Sequence, residues 1–263
     1  MATNTLSLTS VGAVIGTLME REIVRFFRQR NRVVGALVQP IMFWLLFSAG
    51  LRANDLGHAF FFPGTLAMIL LFTAIFATIS IIEDRREGFL QSVLVSPAPR
   101  WAMVVGKIAG GAEIAMLQAL LFLVLGWLAL GLTSSMLEVV WAILMMEVMA
   151  VALTSLGFLI AWRMDSTQGF HAIMSVFLFP MWLLSGSLFP AEPGAWLTRV
   201  SHFNPLTYGV AGLRHYLQFE GAAVSTAGLP SLAVCWLVSV AFAAAMLVLA
   251  WRIAGTRTTG DLL

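Results

Sequence analysis

The sequence has 263 residues, of which 60% are hydrophobic and only 11% are charged, and its net charge is +2. A soluble globular domain has about 45–50% apolar and about 25% charged residues, so this composition excludes an ordinary water-soluble protein and predicts a membrane protein. The length suits six spans with short loops and leaves no room for a separate soluble enzyme domain. The single cysteine, Cys235, excludes an internal disulfide.

The N-terminal segment, residues 1–32, has a polar start followed by a basic stretch, and it lacks the apolar run of a secretory signal. Over residues 13–31, apolar side chains recur at helical spacing, and most charged side chains lie off that stripe. A basic amphipathic helix before the first span is expected in the cytoplasmic interface, held by anionic headgroups. This interfacial helix either only anchors the chain or also contacts a cytoplasmic protein.

Six apolar stretches approach the length of about 20 residues that a helix needs to cross a bilayer. They cover about 33–51, 60–82, 108–132, 139–162, 170–190 and 229–251. Lipid cannot satisfy exposed backbone groups, and these runs are unbroken rather than alternating, so we expect helices. Two glycine pairs in or next to the third stretch, Gly106 with Gly110 and Gly126 with Gly131, are expected to allow close helix packing.

The 15 Lys and Arg residues are divided unequally between alternate loops. Only Arg52, Arg199 and Arg214 lie on one side. The other twelve are Arg21, Arg25, Arg28, Arg30, Arg32, Arg85, Arg86, Arg100, Lys107, Arg163, Arg252 and Arg257. The positive-inside rule assigns the side with twelve to the cytoplasm, which makes both termini cytoplasmic.

Residues 83–107 form the longest predicted cytoplasmic loop, and five consecutive ionisable residues begin it. Phe89, Leu90, Val93 and Leu94 then give one apolar helical face, and the Pro97 and Pro99 that follow end the helix. Composition alone allows two interpretations. The segment is either a solvated loop with a lipid-facing turn or a short helix that contacts a cytoplasmic protein.

The outer segment 191–228 is too apolar for a free loop and too interrupted for a span. We expect short re-entrant helices packed against the bundle before the last span, because exposed irregular backbone is excluded from lipid.

Glu113 and Glu147 are acidic residues inside predicted spans. A charge at mid-bilayer costs roughly 2.5–3.5 kcal/mol on insertion scales, so such residues usually face the bundle or a wet cavity. Both are candidates for the substrate path or a helix contact. The simpler alternatives are a partnered carboxylate near the interface for Glu113 and a protonated, hydrogen-bonded one for Glu147.

Motifs for catalysis and cofactor binding are missing from the sequence. The phosphate-binding pattern G-x-x-x-x-G-K-[ST] does not occur at Gly106-Lys107, so the chain is not expected to bind ATP itself. The four histidines lie far apart without neighbouring Cys or paired carboxylates, so we expect no metal site. The sequence shows no arrangement of a nucleophile with a base, and we expect no nucleic-acid partner.

In their order and spacing, several of these residues resemble the permeases of type-2 ATP-binding-cassette exporters. The residues that carry this resemblance are Glu83, Arg86, Glu87, Gly88, Leu94, Ser96, Pro97, Arg100, Gly106 and Lys107, followed by Phe203-Asn204-Pro205-Leu206-Thr207-Tyr208. The six-span layout and the N-terminal helix are similar too, and the resemblance covers essentially the whole chain.

The resemblance implies a fold and a mechanism. The fold is an all-α six-span domain over 33–263, with a coupling helix in the 83–107 loop and Asn204, Pro205 and Tyr208 in the outer re-entrant segment. Two permease chains pair above two copies of a separate ATPase, which uses ATP and Mg. The implied ATPase-coupling residues are Glu83, Arg86, Glu87, Gly88, Ser96, Pro97 and Arg100.

The expected function is therefore a permease subunit, not an enzyme, in the bacterial inner membrane. Its cargo would be an amphipathic drug-like molecule, a lipid or a lipid-linked glycan moved out of the cytoplasm by alternating access. The alternatives are an ion-coupled carrier or channel, which would need polar residues across several spans, and an intramembrane enzyme, which would need a reactive cluster at one depth.

Overall fold

The computed structural model describes residues 8–50, 58–96, 98–188, 196–220 and 228–255. Within these ranges the chain is all-helical and has no strand. The helices are α1 (Leu8–Arg28), α2 (Arg30–Gly50), α3 (His58–Ala77), α4 (Ile79–Arg86), α5 (Phe89–Leu94), α6 (Arg100–Leu130), α7 (Met136–Trp162), α8 (Thr167–Trp182), α9 (Trp196–Ser201), α10 (Pro205–Tyr216) and α11 (Leu232–Gly255), and a π-helical turn, Leu183–Ser187, extends α8. The all-α prediction is confirmed.

Five helical stretches in the described ranges are long and apolar enough to cross a membrane. They are His58–Arg86, Arg100–Leu130, Met136–Trp162, Thr167–Ser187 and Leu232–Gly255. The predicted first span, 33–51, coincides with α2, but the apolar part of that helix, Val33–Leu46, is shorter than the other five. The exact six-span layout therefore stays a prediction.

The helix α3 forms the centre of the bundle and packs against α2, α6 and α7. Phe62 on α3 stacks on Phe122 of α6 with ring centroids 4.7 Å apart. Gly126 makes room for this contact, since a Cβ there would lie 2.1 Å from the Phe62 ring. At the same end, the indole of Trp182 donates a hydrogen bond of 2.7 Å to the Gly64 carbonyl. Small residues thus allow the close approach of membrane helices.

The N-terminal helix α1 packs lengthwise on α6. A Cβ at Gly106 would lie 2.9 Å from the Leu18 Cβ, and one at Gly110 would lie 2.8 Å from the Glu22 Cβ. The predicted packing role of Gly106 and Gly110 is therefore visible, with α1 as the partner. Gly131 instead ends α6 with a φ of +66°, a conformation that glycine adopts without steric cost.

The short helix α10 lies at the end of the bundle opposite to α1. Asn204 caps it by accepting a hydrogen bond of 3.0 Å from the Leu206 amide, and its side-chain amide donates to the Met181 carbonyl. Pro205 occupies the first helical position, where its fixed φ suits the helix. Asn204 and Pro205 therefore start α10 and fasten it to α8. Tyr208 adds a hydrogen bond from its hydroxyl to the His202 carbonyl.

Candidate functional site

The site is built where α3 runs into α4 and the chain turns back towards α6. α4 ends at Arg86, and Gly88 takes a φ of +77° before α5 begins at Phe89. An L-residue with a side chain pays roughly 1–2 kcal/mol in this left-handed conformation, so glycine suits the turn. The Ser96 hydroxyl donates to the Val93 carbonyl at 2.7 Å just after α5. Pro97 lies outside the described residues.

A buried ion-pair network, here called the charged cluster, joins α1, α4 and α6. It consists of Arg21, Glu22, Arg25, Asp84 and Lys107. Asp84 is fully buried and accepts hydrogen bonds from Arg21 at 2.7 and 3.0 Å and from Arg25 at 2.7 Å. The Lys107 ammonium donates to both Asp84 and Glu22.

Burial and pairing act in opposite directions on the charges of this cluster. Burial lowers the pKa of Arg21, but the hydrogen bond and the charge of Asp84 raise it more, so its pKa lies above the ordinary value. Arg21 therefore stays protonated at neutral pH. Removing one partner would leave a buried charge uncompensated, so the cluster fixes the three helices relative to one another.

The charged cluster is connected directly to α5. The Arg21 guanidinium lies 3.7 Å from the centroid of the Phe89 ring, at the first turn of that helix. Arg25 also contacts the turn. Its Nη2 lies 2.9 Å from Oε2 of Glu83 and 3.3 Å from Oε1 of Glu87. These contacts hold the short helix against α1.

A second set of contacts ties the same turn to the loop after α7. Arg85 donates hydrogen bonds to the Trp162 and Met164 carbonyls and lies 5.5 Å from the Trp162 ring. Arg86 donates from Nε and Nη2 to the Asp165 carbonyl at 3.0 and 2.7 Å. Three segments distant in sequence thus hold α4 and its turn in place.

The predicted coupling residues differ in exposure: Arg86 and Glu87 are exposed, and Glu83 and Arg100 are half-buried. Glu83, Arg86 and Arg100 contact the chain itself, and Arg100 donates to the Ala254 carbonyl at 3.2 Å. Glu87 is 60% exposed, and the neighbouring Gln91, Ser92 and Val95 are also exposed. These last four residues form a surface that we call the α5 face.

Sequence reasoning missed the centre of this site. Asp84, Glu22, Arg21 and Lys107 were not singled out for a joint role, although Lys107 belongs to the motif and Asp84 to the ionisable run. One signal was present in the sequence: Glu22 and Lys107 are charged residues in stretches with many apolar residues. The structure buries both side chains. Their pairing could not be read from spacing, because 85 residues separate them.

Glu113 and Glu147 lie on the adjacent helices α6 and α7. The Glu113 side chain is exposed, and that of Glu147 is half-buried. Neither has a hydrogen-bond or ion-pair partner among the residues that the structure describes. Their roles in a substrate path or helix contact stay predictions. No group of His, Cys, Asp or Glu in the described ranges could hold a metal ion.

The fold and this site define a class: a multi-pass α-helical membrane protein with a short exposed helix braced by buried ion pairs at one end. The family model for the ABC-2 type transporter matches residues 13–217. The chain belongs to this family, which makes it the membrane subunit of an ABC transporter and not its ATPase.

Two relatives agree with this assignment. The chain is 23% identical over 207 residues to "Putative transport permease ycf38" of Cyanophora paradoxa, covering 75% of this chain and 71% of that protein. It is 28% identical over 151 residues to "Probable multidrug ABC transporter permease YbhR" of Escherichia coli (strain K12), covering 57% of this chain and 41% of that protein. The alignment thus spans less than half of the Escherichia coli relative.

Proposed function

We propose that this chain is the permease subunit of an ATP-driven exporter and that the α5 face receives the force of the ATPase. The observation that carries the proposal is the combination of an exposed face with a rigid support. Glu87, Gln91, Ser92 and Val95 are exposed, while the helix beneath them is fixed through Arg21 and Asp84 to α1 and α6.

The mechanism follows from how the support is connected. When two ATPase subunits close on ATP and Mg, they displace α5. Because Phe89 lies against Arg21, and Asp84 binds Arg21 and Lys107, the displacement reaches α1 and α6 together with α4. α4 continues into the central helix α3, so the movement alternates the bundle between inward-facing and outward-facing states. No ATP site is proposed in this chain.

The proposed placement puts the charged cluster on the cytoplasmic side of the bacterial inner membrane. α1 then lies at the cytoplasmic interface in the segment 1–32, α2 serves as the first of six spans, and α9 and α10 form the outer re-entrant segment. Residues 83–107, which comprise the end of α4, α5 and the start of α6, face the cytoplasm. The division of basic residues between alternate loops supports this orientation.

The proposed complex has two permease chains and two ATPase subunits, surrounded by membrane lipids. Large apolar side chains on α8 and α11 are exposed, such as Val176 and Leu237, and these faces contact lipid or the second permease. The proposed cargo is an amphipathic drug-like molecule, a lipid or a lipid-linked glycan. The name of the Escherichia coli relative supports the drug-like class.

Reversing the charge of Glu87 tests the coupling role. The complex of this chain with its partner ATP-binding-cassette ATPase is purified and reconstituted, and ATP hydrolysis is measured with and without this chain. In the proposed interface, Glu87 pairs with a cationic group of the ATPase. We therefore expect Glu87→Lys to reduce the stimulation of ATP hydrolysis about tenfold or more, because a like charge across an interface is strongly unfavourable. Folding should be preserved, since the exposed pair of Glu87 with Arg25 contributes only about 0–1 kcal/mol.

Glu220→Lys is the matched control, because it makes the same charge change on an exposed side chain at the opposite end. It should leave the stimulation unchanged. Full stimulation by the Glu87→Lys chain would contradict the coupling role. Hydrolysis by this chain in the absence of the ATPase would contradict the permease assignment, and transport driven by an ion gradient without ATP would favour the carrier.

A further inference from the structure

Arg214 on α10 is a buried cation without a counter-ion among the described residues. Only 3% of its surface is exposed, and its Nε and Nη2 atoms have no hydrogen-bond partner. Burial lowers its pKa to about 10, so the guanidinium still carries its charge at neutral pH. The Phe60 ring, 4.2 Å away, stabilises the charge from one face but accepts none of the in-plane hydrogen bonds.

The guanidinium lines a cavity of about 40 Å³ between α8, α9 and α10. One water molecule needs about 10–15 Å³ of such cavity volume, so this cavity has room for a group of several heavy atoms. Hydroxyl groups of Ser185, Ser201 and Thr207 lie in the cavity wall. Each of these hydroxyls is already bonded within the protein, to the Trp182, Thr198 and Ser201 carbonyls respectively. Among the described residues, Arg214 is therefore a buried hydrogen-bond donor with free capacity in this wall.

The rest of the cavity wall indicates which kind of molecule would carry an anionic group that pairs with Arg214. Leu183, Leu184, Leu197 and Leu229 give the cavity an apolar side. A guanidinium presents its donors as a planar fork that matches the oxygens of phosphate and carboxylate. A buried charge without a partner is costly, and an oxyanion with an apolar body would satisfy both parts of the cavity.

We propose that the Arg214 cavity binds the oxyanion group of an anionic amphipathic molecule. Two sources share this chemistry: the headgroup phosphate of an anionic membrane lipid, and the anionic group of a transported molecule. The site lies at the opposite end from the charged cluster, and the proposal does not depend on the coupling role of the α5 face.

The first experiment measures lipid retained by the full-length chain. The chain is purified in neutral detergent, delipidated and titrated with phosphatidylglycerol or phosphatidylcholine, and bound lipid is counted by native mass spectrometry. We expect phosphatidylglycerol to bind the wild type and Arg214→Gln to weaken that binding at least about tenfold, with Arg214→Lys intermediate because it keeps the charge but loses the fork. Arg199→Gln, which removes an exposed arginine from the same end, should bind like the wild type.

The second experiment separates lipid from cargo. Transport of a carboxylate dye and of its uncharged methyl ester is compared in vesicles that contain the complete complex. If the site binds cargo, Arg214→Gln slows the carboxylate dye alone. If the site binds lipid, the variant alters the transport of both dyes equally and retains less phosphatidylglycerol than the wild type.

Two outcomes would overturn the proposal. The first is equal phosphatidylglycerol binding and equal dye transport by wild type and Arg214→Gln. The second is competition by inorganic phosphate as strong as that by the lipid, which indicates a free-ion site. Should Arg214→Gln fail to fold, Ala211→Leu, which fills the cavity and keeps the arginine, replaces it in both assays.

Discussion

Three cationic side chains converge on Asp84, which has no exposed surface. Arg21 and Arg25 come from α1, and Lys107 comes from α6, so one carboxylate joins two helices to the end of α4. An isosteric amide would fill the same space as the Asp84 carboxylate without carrying its charge. The charge of Asp84 can therefore be tested separately from its volume.

We expect Asp84→Asn to lower the free energy of unfolding by about 2–3 kcal/mol. The loss falls below the roughly 3–5 kcal/mol of a fully buried pair, because Arg21 and Arg25 reach solvent and Lys107 keeps Glu22. Thermal unfolding of the purified chain in detergent measures the effect. Asp165→Asn, which changes an exposed aspartate, should stay within about 0.5 kcal/mol of the wild type.

A double variant checks that the loss comes from the ion pair. Lys107→Met combined with Asp84→Asn should destabilise the chain by less than the sum of the two single changes, because each single change leaves the other charge buried. Strictly additive losses would contradict a direct interaction.

At the scale of elements, the contact of α1 with α6 depends on two glycines. A Cβ at Gly110 would lie 2.8 Å from the Glu22 Cβ and 3.2 Å from the Met19 carbonyl oxygen. The backbone of α1 cannot yield locally, so a larger residue must push the whole helix away. This movement would also separate Glu22 from Lys107.

We expect Gly110→Val to destabilise the docking of α1 by about 1–3 kcal/mol, the usual cost of overpacking. Limited trypsin digestion of the purified chain should then cleave at Arg21 and Arg25 faster than in the wild type. Gly12→Val is the control, since a Cβ at Gly12 has no neighbour within 4 Å. Unchanged cleavage of Gly110→Val would show that α1 does not rely on this contact.

The elements themselves were largely predictable from sequence, whereas their partners were not. Apolar length indicated the long helices, and glycine spacing indicated a close contact at Gly106 and Gly110. The sequence predicts a loop over 83–107 with the third span beginning near 108, whereas α6 already begins at Arg100 and includes Lys107. In a sequence, charged residues near the start of a helix resemble those of a loop. A helical, buried Lys107 is favourable because it forms ion pairs with α1 and α4.

Asp84 shows why the candidate site could be predicted only in part. It stands in a run of five ionisable residues, and sequence does not tell which of them face inward on a helix with 3.6 residues per turn. Its arginine partners lie about 60 residues earlier. The turn at Gly88 and the end of α5 before the prolines, in contrast, follow from local backbone chemistry.

The whole molecule has two ends, and its orientation in the membrane can be measured. Val95 on the α5 face is 84% exposed, and Phe203 at the opposite end is 90% exposed. We expect a membrane-impermeant maleimide to label Phe203→Cys in intact cells, because the positive-inside rule places that end outside. Val95→Cys should react only after the cells are permeabilised.

The wild-type chain is the control, because its Cys235 is fully buried and should not react. Labelling of Val95→Cys from outside intact cells would reverse the orientation and would contradict the coupling proposal.

The central position of α3 has a consequence for how force spreads. The stretch His58–Arg86 has 29 residues, and 89% of its most apolar 18-residue segment is buried. At 1.5 Å per residue it is about 44 Å long, comparable to a bilayer with its headgroups. Under the proposed coupling, a force applied at Gly88 would reach α4 and then α3, which the neighbouring helices surround along its length. The resulting movement would be shared among all the helices packed around α3.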